Sequence, residues 1–404
     1  MKIRAVLRRV AALLAAIGCV LSMSGCWDTA EINGRAFVLG VGIDDGEREG
    51  DYDFTFQLAV PVSGGSDSGD AIQYINCTLT DRSAAAAIRS LEKNTGRQIN
   101  FEQLTAIIIG EHLSHGRFTQ VTELFFRRAS VRRQSCVAVC SGQAKDFFAR
   151  SSTGKSISSD AAIALQSYDT RSGTGSMVMN LHSLYTAVSN MDGFYLMQIS
   201  AVEPSVQNTP KDSGESSDEN KKLILEISGA AVYGGDCEYL GEINGGELEI
   251  LRLISNSQTS GIISAAGTGE SSGDKPNEIY YQIKQSHCSR TCSIADGIPV
   301  FSIRLDLQCS LVDGYGLGEW NVTSEQFTDF AEKCIVKELT DEIGTIADKS
   351  RRSLGAAVLG LQDILRQREP DWYDAHADSL NESYKHSDIK INISCEIVGG
   401  GMTQ

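Results

Sequence analysis

An α+β protein, with mixed, largely antiparallel sheets and packed helices in two or more domains, is the fold class that three observations predict. The 404-residue chain is 41% hydrophobic and only 22% charged, so it carries apolar material for more than one core. Its apolar runs open with a hairpin-like pair of strands and then switch to strands that alternate with helices. A stretch rich in Ser, Asp, Glu and Lys at 204–222 (PSVQNTPKDSGESSDENKK) has no core-forming periodicity and divides the pattern in two. The expected organisation is a signal peptide at 1–25, an N-terminal α+β domain at 26–203, a flexible linker at 204–222 and a C-terminal α+β domain at 223–404.

The apolar run AFVLGVGID (36–44) ends at an Asp-Asp-Gly turn, and DYDFTFQLAVPV (51–62) alternates as a half-buried strand does, which predicts a hairpin. A loop at 63–70 leads to a third strand at 71–80. Asp81 is the expected N-cap of the helix DRSAAAAIRSLEKNTG, and Gly96 its stop. The β-branched run LTAIIIG (104–110) predicts a strand buried on both faces. A helix around 117–129, a strand at 134–140 and a helix from Ala144 follow. Beyond the linker, strands are expected at 223–233, around Tyr239, at 279–290 and at 299–312, with a soft loop at 264–276. A long helix begins near Thr323, with Phe327, Ala331, Cys334, Ile335, Glu338, Glu342 and Ile346 on its expected packing face, and DIKINISCEIVG (388–399) is an alternating final strand.

The N-terminus carries the clearest chemistry. Residues 1–9 are basic, and residues 10–25 are an apolar run of about 24 Å as a helix, short of the ~30 Å hydrocarbon core of a bilayer. A signal peptide fits better than a permanent membrane span. Ser24-Gly25 directly before Cys26 resembles a bacterial lipobox, with Met23 where Leu is usual. Cys26 is therefore the expected lipidation site and mature N-terminus; the competing reading is an ordinary cleaved secretory signal. Two or more acyl chains on Cys26 would hold a peripheral protein stably at a membrane.

Charge excludes one function class. Removing Lys2, Arg4, Arg8 and Arg9 with the signal peptide takes the formal net charge from −16 to −20, so sequence-independent nucleic-acid binding is excluded. The one dense basic cluster is Arg127, Arg128, Arg132 and Arg133, readable as a solvated helix end or as a contact for anionic headgroups or an acidic partner. Cys136/Cys140 and Cys288/Cys292 share a Cys-x3-Cys spacing, but in a strand that puts the pair ~13 Å apart, too far for a disulfide or a shared metal. Buried free thiols are expected instead. Asp44-Asp45-Gly46 lacks the further spaced ligands of a calcium loop and reads as a polar turn. His112 and His115 flank Leu113-Ser114 without a hydrolase motif, and no Gly-x-Ser-x-Gly, His-Glu-x-x-His or P-loop occurs. No catalytic residue, metal ligand or cofactor is assigned.

The order of these motifs is similar to that of a known family. Cys26-Trp27-Asp28, Glu31-Ile32 and the strand ending Gly40-Val41-Gly42-Ile43-Asp44 resemble the start of the Ger(x)C family, the C-subunit lipoproteins of bacterial spore germinant receptors. The likeness continues through GRQINFEQLTAIIIGEHLSHG (96–116), FFRRASVRRQSCVAVCSGQAKDFF (125–148), GAAVYGGDCEYLGEINGGE (229–247) and DGIPVFSIRLDLQCSL (296–311) to EPDWYDA and INISCEIVGGG. Leu359-Gly360 stands where the family tends to have an aromatic-glycine pair. The resemblance implies a non-catalytic, lipid-anchored subunit of a spore germinant (nutrient) receptor, on the outer face of the spore inner membrane. It also implies integral-membrane A- and B-type subunits as partners, and among known residue roles only the lipidated cysteine carries over, to Cys26. A solute-binding lipoprotein that captures a small germinant itself is the alternative, and the antiparallel start weighs against its repeated βαβ lobes.

Overall fold

The computed structural model describes residues 4, 10–13, 34–60, 73–116, 118–149, 180–191, 193–202, 224–255, 261–266, 278–313, 324–355 and 358–398. Cys26 and the 204–222 stretch lie outside the described residues. The first sheet is built around four strands: β1 (Arg35–Asp45), β2 (Tyr52–Val60), β3 (Gln73–Asp81) and, after helix α1 (Ala84–Thr95), the short β4 (Gln98–Asn100). β1 and β2 pair antiparallel with Asp45 opposite Tyr52, as the hairpin pattern predicts, and β3 pairs antiparallel with β2. The cap of α1 is not Asp81, which is still in β3 opposite Tyr52. Ser83 takes that place, its side chain accepting from the Ala86 N–H at 3.2 Å, because the ladder has to end before the helix can begin. Gly96 closes α1 in the left-handed region (φ 63°), where a side chain is strained.

The parallel part follows. β5 (Ala106–Gly110) lies beside β1, and after helices α2 (Glu111–Ser114) and α3 (Phe118–Arg127), β6 (Cys136–Cys140) lies beside β5. Every residue of both strands is buried, because helices cover both faces of the sheet. Ile107, Ile109, Val137 and Val139 point to the face covered by α1 and α3. Ala106, Ile108, Cys136, Ala138 and Cys140 point to the other, against Phe147 and Phe148 of α4 (Ala144–Ala149). The pleat thus puts Cys136 and Cys140 on one face, with no disulfide between them.

Helix α5 (Leu181–Asn190) and strand β7 (Phe194–Val202) go beyond the sequence expectation, which assigns no element there. β7 continues the sheet parallel to β6, then pairs antiparallel with β8 (Ile224–Tyr233), which in turn pairs with β9 (Tyr239–Asn244). The nine-stranded sheet runs β3-β2-β1-β5-β6-β7-β8-β9, with β4 on β1. Its last two strands come from the far side of 204–222.

The rest forms a second layer system. Helix α6 (Gly245–Ile254) starts at a capping box between Asn244 and Glu247. A four-stranded sheet follows, in the order β10 (Gly261–Ala266), β11 (Glu278–Ala295), β12 (Ile298–Asp313) and β13 (Asp388–Ile397). Residues 264–266, expected in a loop, are the end of β10, with Ser264 opposite Tyr280. The long helix α7 (Glu325–Lys349) covers this sheet, as expected, and Glu332 accepts from the Ile397 N–H at the end of β13 (3.0 Å). Its buried face is Phe327, Ala331, Ile335, Leu339, Ile343, Ile346 and Ala347. Leu339 and Ile343 replace Glu338 and Glu342, because the apolar stripe repeats every four residues and the two acids stand one position off it. After a π-helical turn (Ser350–Leu354), α8 (Leu361–Arg368), α9 (Pro370–Ala375) and α10 (Leu380–Lys385) lead back to β13, which runs parallel to β12. At the expected departure from the family pattern, Leu359 is buried and Gly360 has φ 64°, with Arg290 donating to the Leu359 carbonyl at 2.8 Å.

Candidate functional site

Three of the segments that carry the resemblance meet at the C-terminal ends of β1, β5 and β6, on a buried carboxylate. Asp44 ends the apolar run of β1 and is only 3% exposed. One of its oxygens accepts from the Ala144 N–H at 2.7 Å and the other from the Lys145 N–H at 2.9 Å, so it caps the first turn of α4. Burial pushes its carboxyl above the usual range; the two backbone donors and the Lys145 charge pull the other way and lose. A Cβ at Gly110, the last residue of β5, would stand 2.1 Å from Asp44 Oδ1, so only glycine fits beside it. Next to it, Glu111 is bonded twice to Gly142: its N–H donates to the Gly142 carbonyl at 2.9 Å and its carboxylate accepts from the Gly142 N–H at 2.8 Å. Asn76 of β3 donates to the Phe148 carbonyl at the other end of α4 (2.6 Å). The Asp-Asp-Gly turn expected from sequence is therefore two different things. Asp44 is an internal clamp, whereas Asp45 turns outward and meets His112 Nδ1 at 2.6 Å.

Two histidines sit near this clamp with different roles. The His112 side chain is 95% exposed, and its hydrogen bond to Asp45 raises its pKa above 6.5. The His115 ring stacks on Tyr239 of β9 at 4.0 Å, with Nε2 3.7 Å from Glu242 Oε1. Burial, reinforced by Glu242, pushes the Tyr239 hydroxyl up to about 12. Phe118 meets Tyr233 of β8 edge-on at 5.1 Å, so α2 and α3 of the first half contact β8 and β9 of the second. Ser114, the hydroxyl between the histidines, is buried and donates to the Glu111 carbonyl at 2.6 Å. That hydrogen bond occupies its proton, and the His112–Asp45 pair points to solvent. The cluster can hold elements together; it does not present a nucleophile to a base.

The other sequence-marked residues are spread apart. Cys288 is buried and Cys292 half-buried on β11, with no disulfide between them. Among the described residues, no group of three or more His, Cys, Asp or Glu side chains is placed to hold a metal. Arg127 pairs with Glu123 at 2.5 Å, the Arg128 guanidinium lies 5.0 Å over the Phe101 ring, and Arg132 donates to Gln103 at 3.3 Å. The outer face of the second sheet carries a shallow groove of about 450 Å³ between Ser289, Arg304, Asp306, Asn392 and Ser394, open and polar rather than enclosed. No described helix is long and apolar enough to cross a membrane.

A two-sheet α+β body whose sequence-marked residues clamp one end of the first sheet from within defines the class of protein by its fold and packing. The comparisons give that class a family. Residues 28–201 match the spore germination protein N-terminal domain, and residues 228–401 the C-terminal domain described as spore germination B3/GerAC like. The chain belongs to this GerAC-like family of spore germination proteins. It is 24% identical to spore germination protein B3 of Bacillus subtilis (strain 168), over 95% of this chain and 96% of that protein. It is 22% identical to spore germination protein YndF of the same organism, over 98% and 97% of the two chains. The crystal structure of the GerBC protein shares the fold, with a TM-score of 0.56 at 19% identity, covering 89% of this chain and 97% of that one.

Proposed function

We propose that this protein is the lipid-anchored, non-catalytic subunit of a spore germinant receptor, required for spore germination. It is tethered through Cys26 to the outer face of the spore inner membrane, where it positions integral A- and B-type subunits. The observation that carries the reading is the family match over both halves, 28–201 and 228–401, behind a lipobox-like Ser24-Gly25-Cys26. The relatives named spore germination protein B3 and A3 support a receptor setting. Confinement to the membrane plane raises the local concentration of a tethered body near membrane partners, so modest interfaces suffice.

The test is recovery of the protein from spore membranes with a germination assay on a deletion strain. The expected result is co-purification of integral partners, loss of response to at least one nutrient, and a diacylated mature N-terminus at Cys26. An unmodified Cys26, or a Cys26→Ala protein still held at the membrane, refutes the anchor. No integral partner and unchanged germination refute the subunit role. Saturable nutrient binding to the purified protein promotes the solute-binding alternative.

A further inference from the structure

The fold gathers positive charge at the end of the sheet where the chain enters it. β1 begins at Arg35, and β4 pairs parallel beside that beginning, Gln98 opposite Arg35. β5 and β6 run in the same direction, so their starts at Ala106 and Cys136 face the same end. α1 runs back toward this end with Lys93 in its last turn and Arg97 just beyond it, and α3 ends there with Arg127. The segment from Arg128 to Ser135 is fastened to it by three contacts already in side-chain detail: Arg128 over Phe101, Arg132 to Gln103, and Ser135 Oγ donating to the Leu104 carbonyl at 2.8 Å. Lys93, Arg97, Arg127, Arg132 and Arg133 are exposed and Arg128 half-buried. Among the described residues, the acids beside these cations are Glu92, which accepts from the Ile99 N–H, Glu123, which pairs with Arg127, and Glu102. These six cations against three acids, among the described residues, stand out on a chain with a formal net charge of −16. Beside them the Phe126 and Tyr185 rings meet at 5.4 Å, with Tyr185 47% exposed, and the His182 N–H donates to the Arg133 carbonyl.

We propose that this end of the sheet, centred on Arg127, Arg128, Arg132 and Arg133, is the membrane-facing surface of the protein and contacts anionic phospholipid headgroups. The inference rests on the anchor at Cys26. Nine chain steps separate Cys26 from Arg35, a reach of at most about 30 Å, so a tether at Cys26 keeps this end nearer the headgroups than any other. The acidic body is repelled by an anionic leaflet, and the cationic end is attracted within a Debye length of it, so the two effects orient the molecule the same way. The exposed Tyr185 ring beside Arg suits the headgroup zone, where amphipathic rings and cations reside. A free acidic protein partner would satisfy the charge but not the coincidence with the tether.

The experiment is hydrogen–deuterium exchange on the mature lipoprotein in vesicles of phosphatidylcholine alone and in 3:1 phosphatidylcholine:phosphatidylglycerol. The amides of 97–103 and 128–135 are expected to exchange about fivefold more slowly on the anionic vesicles. The protection should vanish in 0.5 M salt and in Arg132→Glu/Arg133→Glu, and be retained in Arg132→Lys/Arg133→Lys. Circular dichroism of each variant confirms folding, since both side chains are exposed. A protein that does not associate with either vesicle has no anchor, which fails the proposed function. An anchored protein with equal exchange on both vesicles overturns this inference alone. Protection that appears only when integral receptor subunits are added assigns the surface to an acidic protein instead.

Discussion

Gly110 has no room for a methyl group, because its Cβ would stand 2.1 Å from Asp44 Oδ1. Gly110→Ala is expected to push Asp44 off the first turn of α4, leaving the Ala144 and Lys145 N–H groups buried without an acceptor. Thermal or urea unfolding should show a loss of about 2–3 kcal/mol, and Asp44→Ala, which removes the same acceptor, should cost a similar amount without adding to it in the double variant. His112 gives a pH signature. Its folded pKa lies above 6.5, so the Asp45 pair contributes fully below pH 6.5 and is lost as pH rises through the raised value. At 95% side-chain exposure that contribution is on the order of 0–1 kcal/mol. NMR titration of the His112 ring should give a midpoint above 6.5 that falls in Asp45→Asn; an unchanged midpoint would exclude the pair. The thiols give a third check. Burial raises the thiol pKa of Cys140, and of Cys288 to about 11, so alkylation at pH 8 should spare both in the native protein and reach them in denaturant.

Element by element, what could be read from the residues depends on how local the cause is. The run LTAIIIG announces a doubly covered strand, and Gly96 announces a helix stop, because each depends on neighbours within a few positions. Asp44 could not be recognised as a cap, since the N–H groups it accepts from are 100 and 101 residues away; an acid closing an otherwise apolar strand was the available hint. α5 and β7 have no comparable local signal, because LHSLYTAVSN and FYLMQISAV gain their meaning from the sheet edge they extend. On α7 a one-position error in the stripe decides what is energetically important. Leu339→Ala or Ile343→Ala should destabilise by about 2–5 kcal/mol, while Glu338→Ala stays within about 0.5. Glu342 is exposed at the edge of the stripe, and partial desolvation together with Glu338 and Glu249 raises its pKa. Glu342→Gln should therefore be neutral or mildly stabilising at pH 7, since the charge it removes is the form the site disfavours.

At the scale of the whole molecule, the 204–222 stretch and the sheet pull in different directions. We expect the stretch to be the first site of limited proteolysis. The two fragments should nevertheless co-elute on gel filtration, because β7 and β8 pair from Phe194–Tyr233 to Val202–Ile224 and α2–α3 pack on β8 and β9. Fragments that separate in native buffer would show that the ladder alone does not hold the halves, and a first cut elsewhere would move the boundary.

The β7–β8 pairing also has a consequence for how the chain is made. A ribosome that has released only the first 203 residues has produced a sheet whose last strand, FYLMQISAV, carries no charge and lacks its neighbour. Such an uncovered rim is a template for pairing with another nascent chain. The rim is sealed only when Ile224–Tyr233 and then Tyr239–Asn244 have emerged. Export in an unfolded state, followed by folding of the completed chain at its tether, would avoid that exposed interval. Expression of the first half alone should correspondingly yield aggregates or strand-swapped dimers, and appending residues through Asn244 should cure them.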